Sequence, residues 1–280
     1  ISTSTKTSSK TSSTMNNIFD FTRFGKYFLY DLRNAKNNYG LSLLILGTLP
    51  ISLFVIYELF SLIFTQHFVE LPVAMKYMQF FAAITVVLLG AGTKIYGNLT
   101  EKKAGTNFLM LPASTFEKWL SMGLIVCFIL PIVLFVLQLG SDALVSFLFP
   151  NHYGDRLLEL IAVQEMNDTL IENGIRINWL GIILLEWSEY VLTFTLGAIC
   201  FKKSKVAKTI LCIFGLSMIL STIGMIIVGH SGSFYFNWFD QFDTAGKAIS
   251  ALNWALSITF TVFVGGLLGG IYYRIRTLKH

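Results

Sequence analysis

Residues 119–139 read WLSMGLIVCFILPIVLFVLQL, an apolar run without a single charged side chain. A helix of about 20 such residues crosses the ~30 Å hydrocarbon core of a bilayer. Five more runs of similar length and character occur along the chain. The six predicted spans are Leu41–Phe64, Tyr77–Tyr96, Trp119–Leu139, Trp179–Phe201, Val206–Val228 and Ile249–Tyr273. The sequence therefore predicts an all-α, polytopic membrane protein in which residues 41–280 form a six-helix transmembrane domain.

The overall composition points to the same class. The chain of 280 residues is 54% hydrophobic and only 13% charged, whereas soluble domains are about a quarter charged. The net charge of +5 does not indicate a nucleic-acid partner, because the charged residues flank the apolar runs and form no basic face. Cys127, Cys200 and Cys212 lie inside apolar runs without metal-binding spacing, so we expect neither a disulfide framework nor a metal site. The expected surroundings are the lipid bilayer.

The distribution of lysine and arginine predicts the orientation. Of the 21 bases, 17 lie in the N-terminal segment, in the tail, and in the loops after the second and fourth predicted spans or in the span ends that flank these loops. The other four are Lys76, Arg156, Arg176 and Lys247. Since positive residues accumulate on the cytoplasmic side of a membrane, both termini are predicted to be cytoplasmic.

Two segments precede the first predicted span. Residues 1–14 are almost entirely Ser, Thr and Lys, so we expect a disordered tail. In residues 15–40, Phe21, Phe24, Phe28 and Leu32 recur at helical spacing with bases around them. This pattern is typical of an amphipathic helix lying in the membrane interface; the alternative is a soluble helix packed on the cytoplasmic loops.

The third apolar run continues to Phe149, which is too long for one straight span. The sequence Gly140-Ser141-Asp142 suggests a helix break there. We therefore expect Ala143–Phe149 to form a separate interfacial or re-entrant piece.

The loop between the second and third predicted spans carries several structural signals. Residues 101–114 read EKKAGTNFLMLPAS. Gly105 and Thr106 are consistent with a turn followed by a helix N-cap, and Pro112 would end the short helix that follows, residues 107–111. Residues 114–117, STFE, match a capping box that begins the next helix. Residues 108–110 present apolar side chains with no lipid to cover them, which is typical of a contact surface.

This loop, with its position between two spans, resembles the permease subunits of ABC-2 type transporters. The matching residues are Glu101, Gly105, Thr106, Leu109, Leu111, Pro112 and Ser114. The resemblance implies that these residues, together with Phe108, form a coupling helix that docks on a cytoplasmic ABC ATPase. It also implies a second permease subunit, as a homodimer or heterodimer, an elbow helix that residues 15–40 would supply, and a bacterial cytoplasmic membrane. The sizeable external segment Pro150–Asn178 departs from the pattern of many family members.

The chain itself has no Gly-x-x-x-x-Gly-Lys-Ser/Thr phosphate loop and no hydrolase motif. We therefore expect that it is not an enzyme and holds no cofactor. ATP and Mg²⁺ would be bound by the partner ATPase.

Three carboxyl groups lie inside predicted spans. Glu58 is in the first span, and Glu186 and Glu189 are three residues apart in the fourth. At ~1.5 Å of rise per residue, Glu58 and Glu186 come at similar depths. Because acids in hydrocarbon are costly and mark functional paths, these three are candidates for the lining of a translocation path. The alternative is that they hydrogen-bond neighbouring side chains and fix helix packing.

Other functions remain open at this point. The three acids would also suit a proton-coupled secondary transporter, and a non-transporting accessory or immunity protein would keep the same topology. Residues 265–270, GGLLGG, form a small-residue surface that favours close helix packing, either within one protomer or between two.

Overall fold

The computed structural model describes residues 19–157, 179–230 and 245–278, and this part of the chain is helical without strands. The main helices are α1 (Phe21–Gly47), α2 (Leu49–Thr65), α3 (Val73–Tyr96), α4 (Lys102–Met110), α5 (Thr115–Leu124), α6 (Leu130–Leu148), α7 (Pro150–Tyr153), α8 (Trp179–Cys200), α9 (Lys205–His230) and α10 (Ala245–Thr277). A 3₁₀ turn (Gly97–Thr100) follows α3, and a π-helical turn (Ile125–Ile129) joins α5 to α6. The predictions for residues 1–18 and for most of the external segment Pro150–Asn178 lie outside the described residues.

Four stretches of helix are long and apolar enough to cross a membrane: Val73–Thr100, Thr115–Leu148, Lys205–Ile226 and Asn253–Thr277. A fifth candidate is the pair α1 and α2, which meet at an angle of 44°. The all-α class and the membrane character predicted from the sequence are therefore confirmed. The helix α8 covers the fourth predicted span but is not among these candidates, so the count of six spans stays a prediction.

The bend between α1 and α2 lies inside the first predicted span. The sequence placed the end of the interfacial helix near residue 40, but α1 continues without interruption to Gly47. The backbone N–H of Thr48 donates to the carbonyl of Leu44, and Pro50 lies in the first turn of α2. Proline fits that position because the first turn leaves its N–H groups unpaired in any case. The chain therefore changes direction at residues 47–49.

The buried face of α1 repeats every four residues and differs from the aromatic stripe seen in the sequence. Its members are Tyr27, Asp31, Ala35, Tyr39, Leu43 and Gly47. They face α3, α5 and α6, which pack against α1. Phe21 is 79% exposed, and Phe24 and Phe28 are half-buried.

The break predicted at Gly140-Ser141-Asp142 was wrong, because α6 continues through it to Leu148. The polar side chains find partners without a break in the helix. The hydroxyl of Ser141 donates to the carbonyl of Gly47 at 2.8 Å. The carboxylate of Asp142, 1% exposed, accepts from the Tyr153 hydroxyl at 2.5 Å and from the backbone N–H of Leu157 at 2.7 Å.

Lys76 completes this network at the same end of the molecule. Its side chain is 1% exposed, and its ammonium group donates to the carbonyl of Asp155 at 2.8 Å. The same group lies 3.8 Å from the ring centroid of Tyr153, a favourable cation–π geometry. Burial, followed by the hydrogen bond to Asp142, raises the pKa of the Tyr153 hydroxyl. The chain after α7 is thus held against α3 and α6.

The centre of the molecule is the crossing of α3 and α8. At Gly92, a Cβ atom would lie 2.6 Å from Thr195 Oγ1 and 2.8 Å from Thr195 Cα. No side chain fits in that space, so glycine allows the two backbones to approach. The core residues around this crossing are Val87, Ala91, Ile95, Val191, Leu192 and Ile199, and α10 adds Ile271 and Ile275.

Candidate functional site

The short helix α4 lies between two candidate spans and is delimited by clear local signals. Glu101 before it and Leu111 after it both have extended backbone conformations. Leu111 precedes Pro112, and proline disfavours helical geometry in the residue before it. Ser114 then caps α5 through the predicted capping box with Glu117, which is confirmed by both reciprocal hydrogen bonds.

The beginning of α4 differs from the prediction. A turn at Gly105 with an N-cap at Thr106 was expected, but α4 begins at Lys102 and runs through both residues. The hydroxyl of Thr106 donates to the carbonyl of Lys102 at 2.7 Å. A threonine inside a helix commonly satisfies its hydroxyl in this way, and the sequence alone does not distinguish this role from capping.

The exposed face of α4 is narrower than predicted. Phe108, expected on the surface, is only 8% exposed and belongs to the main core. Leu109 and Met110 are 41% and 77% exposed. Lys102 and Lys103 are exposed as well, so α4 presents two apolar side chains beside two bases.

Lys118 holds the C-terminal end of α4 in place. Its side chain is 5% exposed, and its ammonium group donates to the carbonyl of Phe108 at 2.7 Å and to that of Leu109 at 3.3 Å. It also lies 4.9 Å from the ring centroid of Phe108. The last carbonyls of a helix have no partner within the helix, and Lys118 supplies one. From the sequence alone, Lys118 was only one of the bases that predict the orientation of the chain in the membrane.

Glu117 ties the beginning of α5 to the beginning of α1. Its side chain is fully buried and forms a salt bridge of 2.8 Å with Arg23. The Nε atom of Arg23 donates to the same carboxylate at 2.9 Å, and so does the backbone N–H of Asp20 at 2.9 Å. A bidentate arginine–carboxylate pair of this kind is directional and strong. The position of α5, and with it the exit from α4, is therefore fixed relative to α1.

Three further hydrogen bonds join neighbouring elements at this end of the molecule. The buried carboxylate of Asp31 on α1 accepts from the Tyr96 hydroxyl at 3.1 Å and from the Ser121 hydroxyl at 2.7 Å. The ammonium group of Lys205, at the start of α9, donates to the carbonyl of Gly97. Five elements, α1, α3, the 3₁₀ turn, α5 and α9, are thus linked at this end, and α4 packs on the 3₁₀ turn. None of these partners is close in sequence, so sequence reasoning did not find them.

The three predicted intramembrane acids lie on two helices with different neighbours. Glu58 is on α2, which packs mainly on α6, whereas Glu186 and Glu189 are on α8, which packs mainly on α3 and α10. Glu186 is exposed and Glu189 half-buried. A pocket of 500 Å³ between α3, α8 and α9 is lined by Tyr190 but by neither of these glutamates. The described part of the chain does not bring the three carboxyl groups into one cluster.

Glu58 lines a different pocket. That pocket, of 530 Å³, lies between α2 and α6. The part of the chain that the structure describes contains no group of three or more His, Cys, Asp or Glu side chains that could hold a metal ion.

Comparisons with known proteins add no identification: no protein-family model, no curated protein and no solved structure matches the chain.

Proposed function

We propose that this chain is the transmembrane subunit of an ABC-2 type exporter and that α4 is its coupling helix. The observation that supports this most directly is the combination of exposure and anchoring in α4. Leu109 and Met110 are exposed on a helix whose C-terminal carbonyls are fixed by the buried Lys118. A helix that transmits a force between subunits needs both properties, an open contact face and a rigid attachment to the spans.

The chemistry of the exposed face suggests the character of the partner surface. Full burial of a leucine or methionine side chain contributes roughly 1.5–3 kcal/mol, so an apolar groove on the ATPase would gain from Leu109 and Met110. The exposed Lys102 and Lys103 would lie at the rim of such a groove and favour acidic residues there.

The remaining features of the proposal concern the whole subunit. Six spans leave both termini in the cytoplasm of a bacterium, residues 15–40 serve as the elbow helix before the first span, and a second permease subunit completes the path. ATP and Mg²⁺ belong to the ATPase. The substrate crosses the bacterial cytoplasmic membrane.

The proposal is tested by purification of the tagged chain from its native membranes. We expect a co-purifying polypeptide that is photolabelled by 8-azido-ATP and competed by ATP. Leu109→Asp should remove this labelled polypeptide, because an unpaired carboxylate in an apolar groove costs several kcal/mol. The yield of the membrane subunit should be unchanged, since α4 lies outside the candidate spans.

Val69→Asp is the matched control. Val69 has the same exposure, 41%, but it lies in the loop before α3, at the opposite end of that helix from α4. This variant should retain the labelled polypeptide. A Leu109→Asp preparation that retained it at the wild-type level, or a wild-type preparation without any, would contradict the proposal.

A further inference from the structure

The pocket around Glu58 is largely apolar. Its walls come from α2, the loop after α2, the last turns of α6 and α7, and its volume is 530 Å³. Most of its lining is aliphatic or aromatic, with Glu58 and His152 as the titratable side chains. Pockets for drug-sized ligands fall in the same range of volume, about 300–1,000 Å³.

The carboxyl group of Glu58 has no partner in the described part of the chain. Both of its oxygen atoms are buried, and neither accepts a hydrogen bond there. An ionised carboxylate left in this condition is strongly unfavourable, and acids inside membrane helices normally have a partner. The described pocket walls do not provide that partner, and a molecule bound in the pocket would supply one.

Aromatic rings surround the same space. Phe54 and Phe149 lie with their ring centroids 5.2 Å apart, and Phe68 lies 5.4 Å from the ring of His152. All four line the pocket. The faces of aromatic rings attract cations, and the attraction is larger where water is excluded.

The mouth of the pocket is apolar. Val55, Leu59 and Leu144, which line it, are 49%, 55% and 51% exposed. Leu144 belongs to a candidate span, and Val55 and Leu59 lie on α2, the second half of the bent pair that forms the fifth candidate. A ligand would therefore enter from the lipid. An inorganic divalent cation does not fit this environment, because Ca²⁺ and Mg²⁺ require about six oxygen ligands.

We propose that this pocket binds a hydrophobic organic cation from the bilayer. The Glu58 carboxylate pairs with the positive charge, the aromatic rings contact it from the side, and the aliphatic walls cover the apolar body. The proposal concerns binding alone and does not depend on whether α4 docks an ATPase.

The test uses the purified chain in nanodiscs of neutral phosphatidylcholine, with radiolabelled tetraphenylphosphonium as the probe. We expect saturable binding that unlabelled tetraphenylphosphonium displaces. Tetraphenylborate, which has nearly the same shape and the opposite charge, should not displace it. Glu58→Gln should weaken binding at least tenfold, because the amide keeps the size of the side chain and removes the charge.

Two further variants make the result specific. Glu70→Gln removes an exposed carboxylate from the loop that follows the same helix, and it should bind the probe like the wild type. Leu144→Trp fills the mouth and leaves Glu58 in place, so it should weaken binding even if Glu58→Gln cannot be purified. The proposal is overturned if the wild type shows no saturable binding, if tetraphenylborate competes equally well, or if Glu58→Gln binds like the wild type. The last two results would indicate a site for a lipid tail.

Discussion

Lys118 shows how one side chain can determine the geometry of a neighbouring helix. A lysine near the end of a span commonly extends towards the interface, but Lys118 is 5% exposed and turns towards α4. Because Leu111 is extended, the carbonyls of Phe108 and Leu109 have no helical partner. The two hydrogen bonds from Lys118 take the place of a C-terminal cap.

We therefore expect Lys118→Met to loosen the end of α4. The variant keeps most of the side-chain volume but leaves two carbonyls without a donor, which costs about 1–3 kcal/mol. Hydrogen exchange of the amides in residues 105–111 should accelerate by about tenfold or more, as expected for easier local opening. The measurement is hydrogen–deuterium exchange followed by mass spectrometry.

Lys103→Met serves as the control, because Lys103 is an exposed lysine on α4 itself. It should leave the exchange of residues 105–111 unchanged. Equal exchange in the two variants would show that Lys118 does not restrain α4.

At this scale the sequence predicted contacts between near neighbours and missed the distant ones. The capping box was predictable because Ser114 and Glu117 lie one helical turn apart. The second partner of Glu117 is Arg23, which is 94 positions away and carries no local signal. Thr106 was wrongly predicted to be an N-cap, because a threonine hydroxyl can form a hydrogen bond to the backbone both at an N-cap and inside a helix.

At the scale of the helices, the close packing of α3 against α8 requires a residue without a side chain at one position. Gly92 lies against the backbone of Thr195, and a backbone cannot move aside as the end of a flexible side chain can. Gly90, in the same helix, is different, since a Cβ atom there would lie an ordinary 3.5 Å from the Tyr39 hydroxyl.

This difference leads to a paired prediction. Gly92→Ala should destabilise the protein by about 1–3 kcal/mol, the usual cost of overpacking, and lower the midpoint of thermal unfolding in detergent. Gly90→Ala should leave the midpoint equal to or above that of the wild type, because alanine is the better helix former. If both substitutions had the same effect, the close approach of α3 and α8 would not limit stability.

The positions of helices were more predictable than their ends. Apolar runs indicated where the helices lie, because a segment inside the membrane must form all of its backbone hydrogen bonds internally, as a helix does. The continuation of α6 past Gly140 depends on Tyr153 and Leu157 as partners of Asp142, and that contact exists only in the folded chain. The bend between α1 and α2 likewise comes at residues 47–49, where Gly47 packs against Leu137 of α6.

For the whole molecule, the charge distribution leads to a prediction of orientation. The bases counted in the sequence predict that α4 and the loop between α8 and α9 lie in the cytoplasm. In a background without native cysteines, Lys203→Cys should not react with a membrane-impermeant maleimide added to intact cells, whereas Glu165→Cys should react. Labelling of position 203 from outside the cell would show that the predicted orientation is wrong.

The last prediction concerns assembly of two subunits. Only 6% of the residues in the most apolar stretch of the candidate spans in α9 and α10 are buried, whereas 44% are buried in the span formed by α5 and α6. On α10, a Cβ atom added at Gly265, Gly266 or Gly269 would meet no atom of the described chain within 4 Å. The small-residue surface predicted from the sequence is thus largely unoccupied within the described protomer, which favours its use between protomers.

We expect Gly266→Leu to weaken that association, because its side chain would hold the facing helix away. Light scattering of the detergent-extracted protein should show two membrane subunits for the wild type and mainly the single 31.4 kDa chain for the variant. Gly215→Leu, at a glycine of α9 that also faces open space, should keep the two-subunit form. A wild-type protein that was a single chain when extracted from native membranes, or a Gly266→Leu variant that stayed paired, would exclude this face as the contact. The second subunit of the proposed exporter would then have to bind elsewhere.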